Sequence, residues 1–386
     1  VSVTPLRALP IEQLRERSSS KWRTYPPDVL PLFVAETDFP LAPAISRALM
    51  QAVERGDTGY IAPGPGVRTA YAAFAQRRWG WSPDPARMRP TCDVMMGIVE
   101  VLRAVIAPGD RVVITPPVYP PFYEGIPEAG GIVERVPLRD TGERWELDLE
   151  GIDRSLAAGA RAVLLCSPHN PTGTVHSRDS LTRLAAIAAH HGAVVVSDEI
   201  HAPLTHPGET FTPFLSASEE AAQVGFALVS ASKAFNLAGL KCALMVAASD
   251  QHAAVLRSLP DEVEWRTGHF GVLASMAAFA PQSDAWLDAL LAALDENRRL
   301  LAELLAEHVP AARYRIPEAG FLAWVDVSAL GWGENPALRI RRGARVALHH
   351  GPLFGEEGSG HVRLNFGTSP EILREAVERI GALARA

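Results

Sequence analysis

Residues 162–173 read Ala-Val-Leu-Leu-Cys-Ser-Pro-His-Asn-Pro-Thr-Gly, five apolar residues that give way abruptly to a polar turn. The same change occurs twice more. Ala193–Ser197 runs into Asp198-Glu199-Ile200-His201, and Phe226–Ser230 runs into Ala231-Ser232-Lys233. Short runs that are apolar at nearly every position suit strands covered on both faces, the condition of a parallel sheet between helical layers. In such a sheet ligands gather beyond the carboxyl ends of the strands. All three polar segments fall there.

Working outward, Arg111–Thr115, Ile132–Val136 and Cys242–Ala247 have the same strand character. Helical patterns separate several of these runs. Ile98, Val101, Leu102, Val105 and Ile106 keep a 3.6-residue rhythm that stops at Pro108-Gly109, and Ser180–His191 ends at Gly192, a natural C-cap. The alternation predicts an α/β fold with a mainly parallel sheet. Ala285 to Val309 reads as one long helix with leucines at 287, 290, 291, 294, 301, 304 and 305. Asn297 and Arg298 interrupt that stripe, so the expectation is a helix lying across its own domain rather than a coiled coil. Phe321–Val327, His361–Phe366 and a closing helix, Glu371–Arg385, read as a smaller α+β domain completed by the N-terminal arm. The expected organisation is an arm over 1–41, a large domain over 42–282, and the long helix with a small domain over 283–386.

The composition sets limits. A chain of 386 residues, 47% hydrophobic and 21% charged, buries a sizeable core. A net charge of −7 argues against nucleic acid or an anionic membrane as the main partner. No uncharged apolar stretch is long enough to span a bilayer, and Val1–Pro10 lacks the pattern of a secretory leader. Cys92, Cys166 and Cys242 are too few and too far apart for a disulfide framework or structural zinc. A reducing cytoplasm is the expected compartment. His206, His349 and His350 show no metal-ligand spacing and read as solvated or packing residues; no metal is expected.

Taken singly, each strand-end segment has an ordinary reading: Asn-Pro-Thr-Gly as turn chemistry, Asp198 as a helix N-cap, Ser-x-Ser-Lys as chance. Their order and their spacing (170 to 198 to 233) are less ordinary. With them in place, the chain resembles the fold-type I pyridoxal 5′-phosphate (PLP) enzymes, specifically the class I/II aminotransferase superfamily, from about Leu32 to Arg385. The resemblance implies a seven-stranded-type central sheet, PLP as cofactor, and an amino-acid substrate. It makes Lys233 the Schiff-base lysine and the catalytic residue, pairs Asp198 with the ring nitrogen, and gives Asn170 the ring's 3-oxygen. Ser230, Ser232 and the backbone at Ile98 and Val99 would hold the phosphate. Tyr119 would stack on the ring, and Arg363 would hold the substrate's α-carboxylate beside Tyr119 and Asn170. Tyr60 would reach the phosphate of a partner subunit, so a homodimer with shared sites is expected.

The chemistry accounts for these residue types. PLP acts as an electron sink, which needs a ring nitrogen kept protonated by a fixed carboxylate. The lysine must attack an aldehyde and later act as a base, so its amine must shed a proton near neutral pH. A helix N-terminus with hydroxyls suits a phosphate. Structural alternatives stay open at three positions: Arg363 as a salt bridge, Tyr119 as packing among prolines, and His201 as a satisfied strand-end histidine. His201 stands where transaminases of the superfamily usually carry a tyrosine bonding the 3-oxygen, and the resemblance makes it a candidate for that cofactor contact.

Within the superfamily, Ser-Lys-Ala-Phe-Asn-Leu-Ala-Gly-Leu (232–240) and Asp-Glu-Ile-His (198–201) resemble the carbon–sulfur β-lyase branch, as do Pro-Val-Tyr-Pro-Pro-Phe (117–122) and Ser-Lys-Trp (20–22). The branch implies cleavage of L-cystathionine or related cysteine conjugates. An aminotransferase is the alternative, and a regulator acting by binding a partner is a third. The chain departs from the pattern at Glu36, in Glu36-Thr37-Asp38-Phe39, at Pro203, in the loop 63–66, and at Lys241, where many transaminases carry a phosphate-binding arginine.

Overall fold

The computed structural model describes residues 3–61, 64 and 66–386. Seven strands form its central sheet: β1 (Met88–Thr91), β2 (Arg111–Ile114), β3 (Ile132–Arg135), β4 (Ala162–Cys166), β5 (Val194–Asp198), β6 (Gly225–Val229) and β7 (Ala243–Ala247). Their order is β1-β7-β6-β5-β4-β2-β3. From β6 to β3 every pairing is parallel. Only β7 runs against its neighbours. Six of the seven strands lie within a residue or two of the apolar runs. The seventh, β1, contains Arg89 and Pro90 and gives no such signal. It occupies an edge, where proline is tolerated, and the Arg89 guanidinium donates to the carbonyls of Leu256, Leu259 and Pro260.

The all-apolar strands are explained by two cores. Ala162, Leu164 and Cys166 of β4 join Val94, Ile98, Val101 and Leu102 of helix α1 (Val94–Val105). Val163 and Leu165 join Leu181, Leu184, Ala185 and Ala188 of α2 (Arg178–His190), on the opposite face. Each buried leucine or valine is worth roughly 1.5–3 kcal/mol. α1 approaches so closely that a Cβ at Gly97 would press on Leu228, Thr91 and Met245. That contact sets where the first turn of α1 meets the end of the sheet.

Helix α3 (Asp284–His308) crosses to the C-terminal part of the chain. Asn297 and Arg298, the interruptions in its leucine stripe, are themselves buried. The Asn297 amide donates to the carbonyls of Phe366 (2.9 Å) and Thr368 (2.7 Å), and Arg298 donates to that of Pro317 (2.6 Å). The polar pair is therefore a tie, which is why no coiled coil forms. A second, antiparallel sheet follows: β8 (Arg313–Tyr314), β9 (Leu322–Asp326), β10 (His349–His350) and β11 (His361–Asn365), in the order β8-β9-β11-β10. Helix α4 (Pro370–Arg385) packs Ile372, Leu373, Ala376 and Val377 into the same core as Val362 and Leu364.

The N-terminal arm joins this sheet's side of the molecule: Leu30–Pro31 pairs in parallel with Val346–Ala347. Residues 33–38 are then pinned in place. The Asn365 amide donates to the carbonyls of Val34 (2.6 Å) and Glu36 (2.7 Å). Asn236 accepts from the Thr37 N–H and donates to the Thr37 carbonyl. Lys21 and Trp22 both bond the Asp38 carboxylate, Lys21 at 2.7 Å with both partners buried. Among the described residues no helix is long and apolar enough to cross a membrane, and no cluster of three metal-ligating side chains occurs. Cys166 and Cys242 are buried free thiols, and Cys92 is half-buried.

Candidate active site

The three strand-end segments open onto one cavity of about 540 Å³, within the range of small-molecule sites. Tyr119, Asn170, Asp198, His201, Ser232, Lys233 and Arg363 all line it. A larger groove, about 1020 Å³, lies between the arm, α3 and residues 202–211. Arg78 pairs there with Asp288, and Asp295 with Arg298 and Arg299, while Glu209 and Glu296 also line it; none of the strand-end segments reaches this groove.

Asp198 ends β5 with its carboxyl buried. One oxygen accepts from the Ile200 N–H at 3.1 Å. Burial pushes its pKa up to about 7, against the opposing pull of that N–H and of Lys233. Such a carboxylate lacks a cation. The Lys233 amine donates to the Ala35 carbonyl at 3.1 Å. Burial, with Arg363 nearby, brings its pKa down to about 8, while Glu36 and Asp198 oppose the fall. A neutral amine is therefore accessible near physiological pH, the state a nucleophile needs.

Asn170 is held by its backbone, whose N–H meets the Cys166 sulfur at 3.3 Å. The turn after it needs Gly173 at φ +69°, where a Cβ would run into Pro317. The Asn170 Oδ1 accepts from Arg363 at 3.2 Å, which leaves its NH₂ group free. Arg363 is buried, its pKa lowered to about 10 by that burial, and its Nε has no partner. His201 is buried with Nδ1 unpartnered, its pKa depressed to about 3 by burial, Lys233 and Arg363, so the ring is neutral. The Tyr119 hydroxyl is raised to about 12 by burial and by Asp198.

Four residues singled out in the sequence sit elsewhere. Ile98 and Val99 face the core, 0% and 2% exposed, because α1 begins at Val94. Asp93 caps it, accepting from the Met96 N–H at 2.9 Å, and Val94 and Met95 face the cavity instead. The apolar rhythm from Ile98 onward hid the helix start. The available signal was Asp93 just before the apolar run, a normal N-cap. Ser230 does not line the cavity. Its hydroxyl bonds the Cys242 carbonyl and the Ser232 hydroxyl, each at 2.7 Å, and so braces Ser232. Tyr60 is 84% exposed and packs edge-on against Trp265, outside the cavity. Pro63 and Pro65 of the 63–66 loop lie outside the described residues.

The cavity also holds residues the sequence did not single out as site residues. Phe33, Val34 and Ala35 form a wall from the arm, and Lys241 pairs with Asp93 at 3.0 Å. His349 is neither solvated nor mere packing, as its sequence context suggested. It lines the cavity and bonds Arg363 at 2.9 Å. His206 is buried and stacked on Phe366.

A helix N-terminus, a cationless buried carboxylate, a lysine near its neutral state and an unopposed arginine share one cavity at the ends of a parallel sheet. This donor set fits PLP: the carboxylate matches the ring nitrogen, the helix start matches the phosphate, and the amine matches the aldehyde. The fold is that of the fold-type I PLP enzymes. The chain superposes with a TM-score of 0.94 on the crystal structure of "a putative plp-dependent beta-cystathionase" from Corynebacterium diphtheriae, at 32% identity with 99% of each chain covered. Residues 27–380 match the model of aminotransferase class I and II, and the chain belongs to that family. It is 45% identical to the "Putative cystathionine beta-lyase" of Mycobacterium tuberculosis (strain ATCC 25618 / H37Rv), with 97% of each chain covered. It is 33% identical to the cystathionine beta-lyase of Corynebacterium glutamicum, covering 97% of this chain and 98% of that one. The protein is an enzyme of this PLP-dependent family.

Proposed function

We propose that the enzyme is a carbon–sulfur β-lyase that cleaves L-cystathionine or a related cysteine conjugate to a thiol, pyruvate and ammonia. The observation that carries this reading is the distribution of charge in the cavity. Among the described residues, Arg363 is the cavity's one cation, apart from Lys233, without a carboxylate partner, and the nearby walls, Phe33, Val34, Ala35, Pro120 and Pro121, are apolar. That suits an amino acid with one carboxylate to be held by charge and an uncharged thioether side chain. The names of the relatives point the same way.

In this reading Lys233 would hold the cofactor through its aldehyde and would serve as the base for the substrate's Cα proton. Bound PLP supplies the electron withdrawal that makes that proton acidic. Asp198 would hold the ring nitrogen protonated and the free NH₂ of Asn170 would serve the ring oxygen, with neutral His201 lining the same cavity. Tyr119 covers the ring. Ser232, Lys241 and the N–H groups of Val94 and Met95 take the phosphate, with Ser230 bracing Ser232. Arg363 receives the α-carboxylate, fixing which Cα bond faces Lys233. Loss of the Cα proton and of thiolate from Cβ leaves a three-carbon enamine acid, which water converts to pyruvate and ammonia. Tyr60 acts in the site of a second copy. Its exposed ring, packed against the exposed Trp265, supports a homodimer.

The test is an assay with L-cystathionine and no added 2-oxo acid. The expected result is thiol and pyruvate in equal amounts, and a Lys233→Ala variant that loses turnover by at least about 10³-fold. Pyruvate-free turnover that requires a 2-oxo acid would mark an aminotransferase and overturn the reading.

A further inference from the structure

We propose that His349 is a positioning residue for substrate binding: as a neutral acceptor it fixes the Arg363 guanidinium that receives the carboxylate. The inference deepens the function proposed above and rests on its assignment of Arg363.

The backbone brings the two together. His349 and Arg363 are opposite partners on antiparallel β10 and β11. Directly opposed side chains project from the same face of a sheet, with their Cβ atoms about 5 Å apart. The contact is Arg363 Nη2 to His349 Nδ1, 2.9 Å. Phe354, fully buried, lies beneath both: the Arg363 guanidinium carbon is 5.0 Å from its ring centre, and the His349 ring meets it edge-on at 5.1 Å. The three groups form one packed unit.

Chemistry fixes the state of the imidazole. A guanidinium has only donors, so Nδ1 must offer a lone pair and the ring's proton sits on Nε2. Burial beside that cation agrees, pulling the His349 pKa down to about 3. The other acceptors of Arg363 are the Phe33 carbonyl (3.0 Å) and the Asn170 amide oxygen (3.2 Å). All three are neutral. They hold the guanidinium plane without spending its charge, whereas a carboxylate at position 349 would occupy the site meant for substrate. Phe33 contributes only backbone, and Asn170 faces the cofactor. His349 is thus the acceptor whose side chain can be varied without touching the proposed cofactor contacts.

The experiment compares His349→Asn, His349→Gln and His349→Leu holoenzymes. Asparagine places an oxygen near Nδ1; glutamine places one near Nε2; leucine has none. Two quantities are read: KM and kcat in the elimination assay, and the dissociation constant of 2-methylalanine from the change in cofactor absorbance. That amino acid has no Cα hydrogen, so it reports carboxylate and amine binding whichever reaction the enzyme catalyses. Leucine and glutamine should raise KM and the dissociation constant about 10- to 100-fold, the scale of a hydrogen bond to a charged group, with kcat within about threefold. Asparagine should stay within about threefold of wild type. Unchanged constants in the leucine and glutamine variants, or asparagine behaving like glutamine, would overturn the proposal. If elimination fails but 2-methylalanine follows the pattern, the positioning role stands and the lyase reading falls.

Discussion

The two anion seats proposed for the cavity, one for phosphate and one for carboxylate, are built on opposite principles. At one end Lys241 lies beside the start of α1, its side chain 56% exposed and paired with Asp93. At the other, Arg363 is 3% exposed and meets only neutral acceptors. The first seat has largely neutralised its own cation, so its hold on an anion rests on helix N–H groups and the Ser232 hydroxyl. The second keeps its full charge for the ligand, and the empty fold bears the cost of burying it. A resident phosphate with two charges can be held by many modest donors. A substrate carboxylate, which must come and go, is held by one strong one.

The largest expected effect is at the uncompensated seat. Arg363→Met should lower kcat/KM roughly 10²- to 10⁴-fold, the loss typical of a buried charged contact. The thermal midpoint of the cofactor-free protein should fall less than for a buried ion pair, because no counter-ion is orphaned and the three neutral acceptors it leaves face the cavity, where water can reach them. A marked fall would mean that Arg363 is compensated after all, and the contrast would fail.

Asp198 sharpens the point with a buried charge of the other sign. Its pKa is raised from 3.8 to about 7, so the folded state binds the proton more tightly than the unfolded one. Its stabilising contribution is full below about pH 4 and is lost as pH climbs to about 7. The penalty above that is at most about 4 kcal/mol. Cofactor-free Asp198→Asn should therefore be more stable than wild type at pH 8 and similar at pH 4. With PLP bound the ranking should reverse at pH 8. Denaturant titrations in the four conditions check both signs.

The smallest effects belong to the compensated seat. Asp93→Asn keeps the helix cap but removes a negative charge, and should tighten PLP binding about 3- to 10-fold. Lys241→Met should weaken it by less than about 10-fold, since its charge is exposed and shared. Titration of cofactor-free protein with PLP measures both. A Lys241→Met loss as large as that of Arg363→Met would erase the distinction between the seats.

What the sequence showed of this arrangement follows from what each part depends on. β4, β5 and β6 were readable because burial on two faces leaves a local record, an unbroken apolar run. So were Asn170, Asp198 and Lys233, which stand immediately after those runs. β1 was not, because its Arg89 is satisfied by carbonyls some 170 positions away. The start of α1 was misplaced by four residues because its apolar rhythm is stronger than its cap. His349 gave no sign, since a histidine's role there depends on which residue lies across the strand. The arm wall at 33–35 was equally silent: its function is fixed by Asn236 and Asn365, far along the chain.

That last arrangement bears on how the protein is made. The carbonyl of Phe33 waits for a donor 330 positions later, and that of Ala35 for one 198 positions later. At ordinary rates of synthesis, on the order of 5–20 residues per second, the ribosome takes tens of seconds to deliver Arg363 after Phe33. The central sheet's strands are all made before residue 250, yet the wall at Phe33 gains its partner only once Arg363 has been made, so this part of the pocket is assembled long after its first residues leave the ribosome.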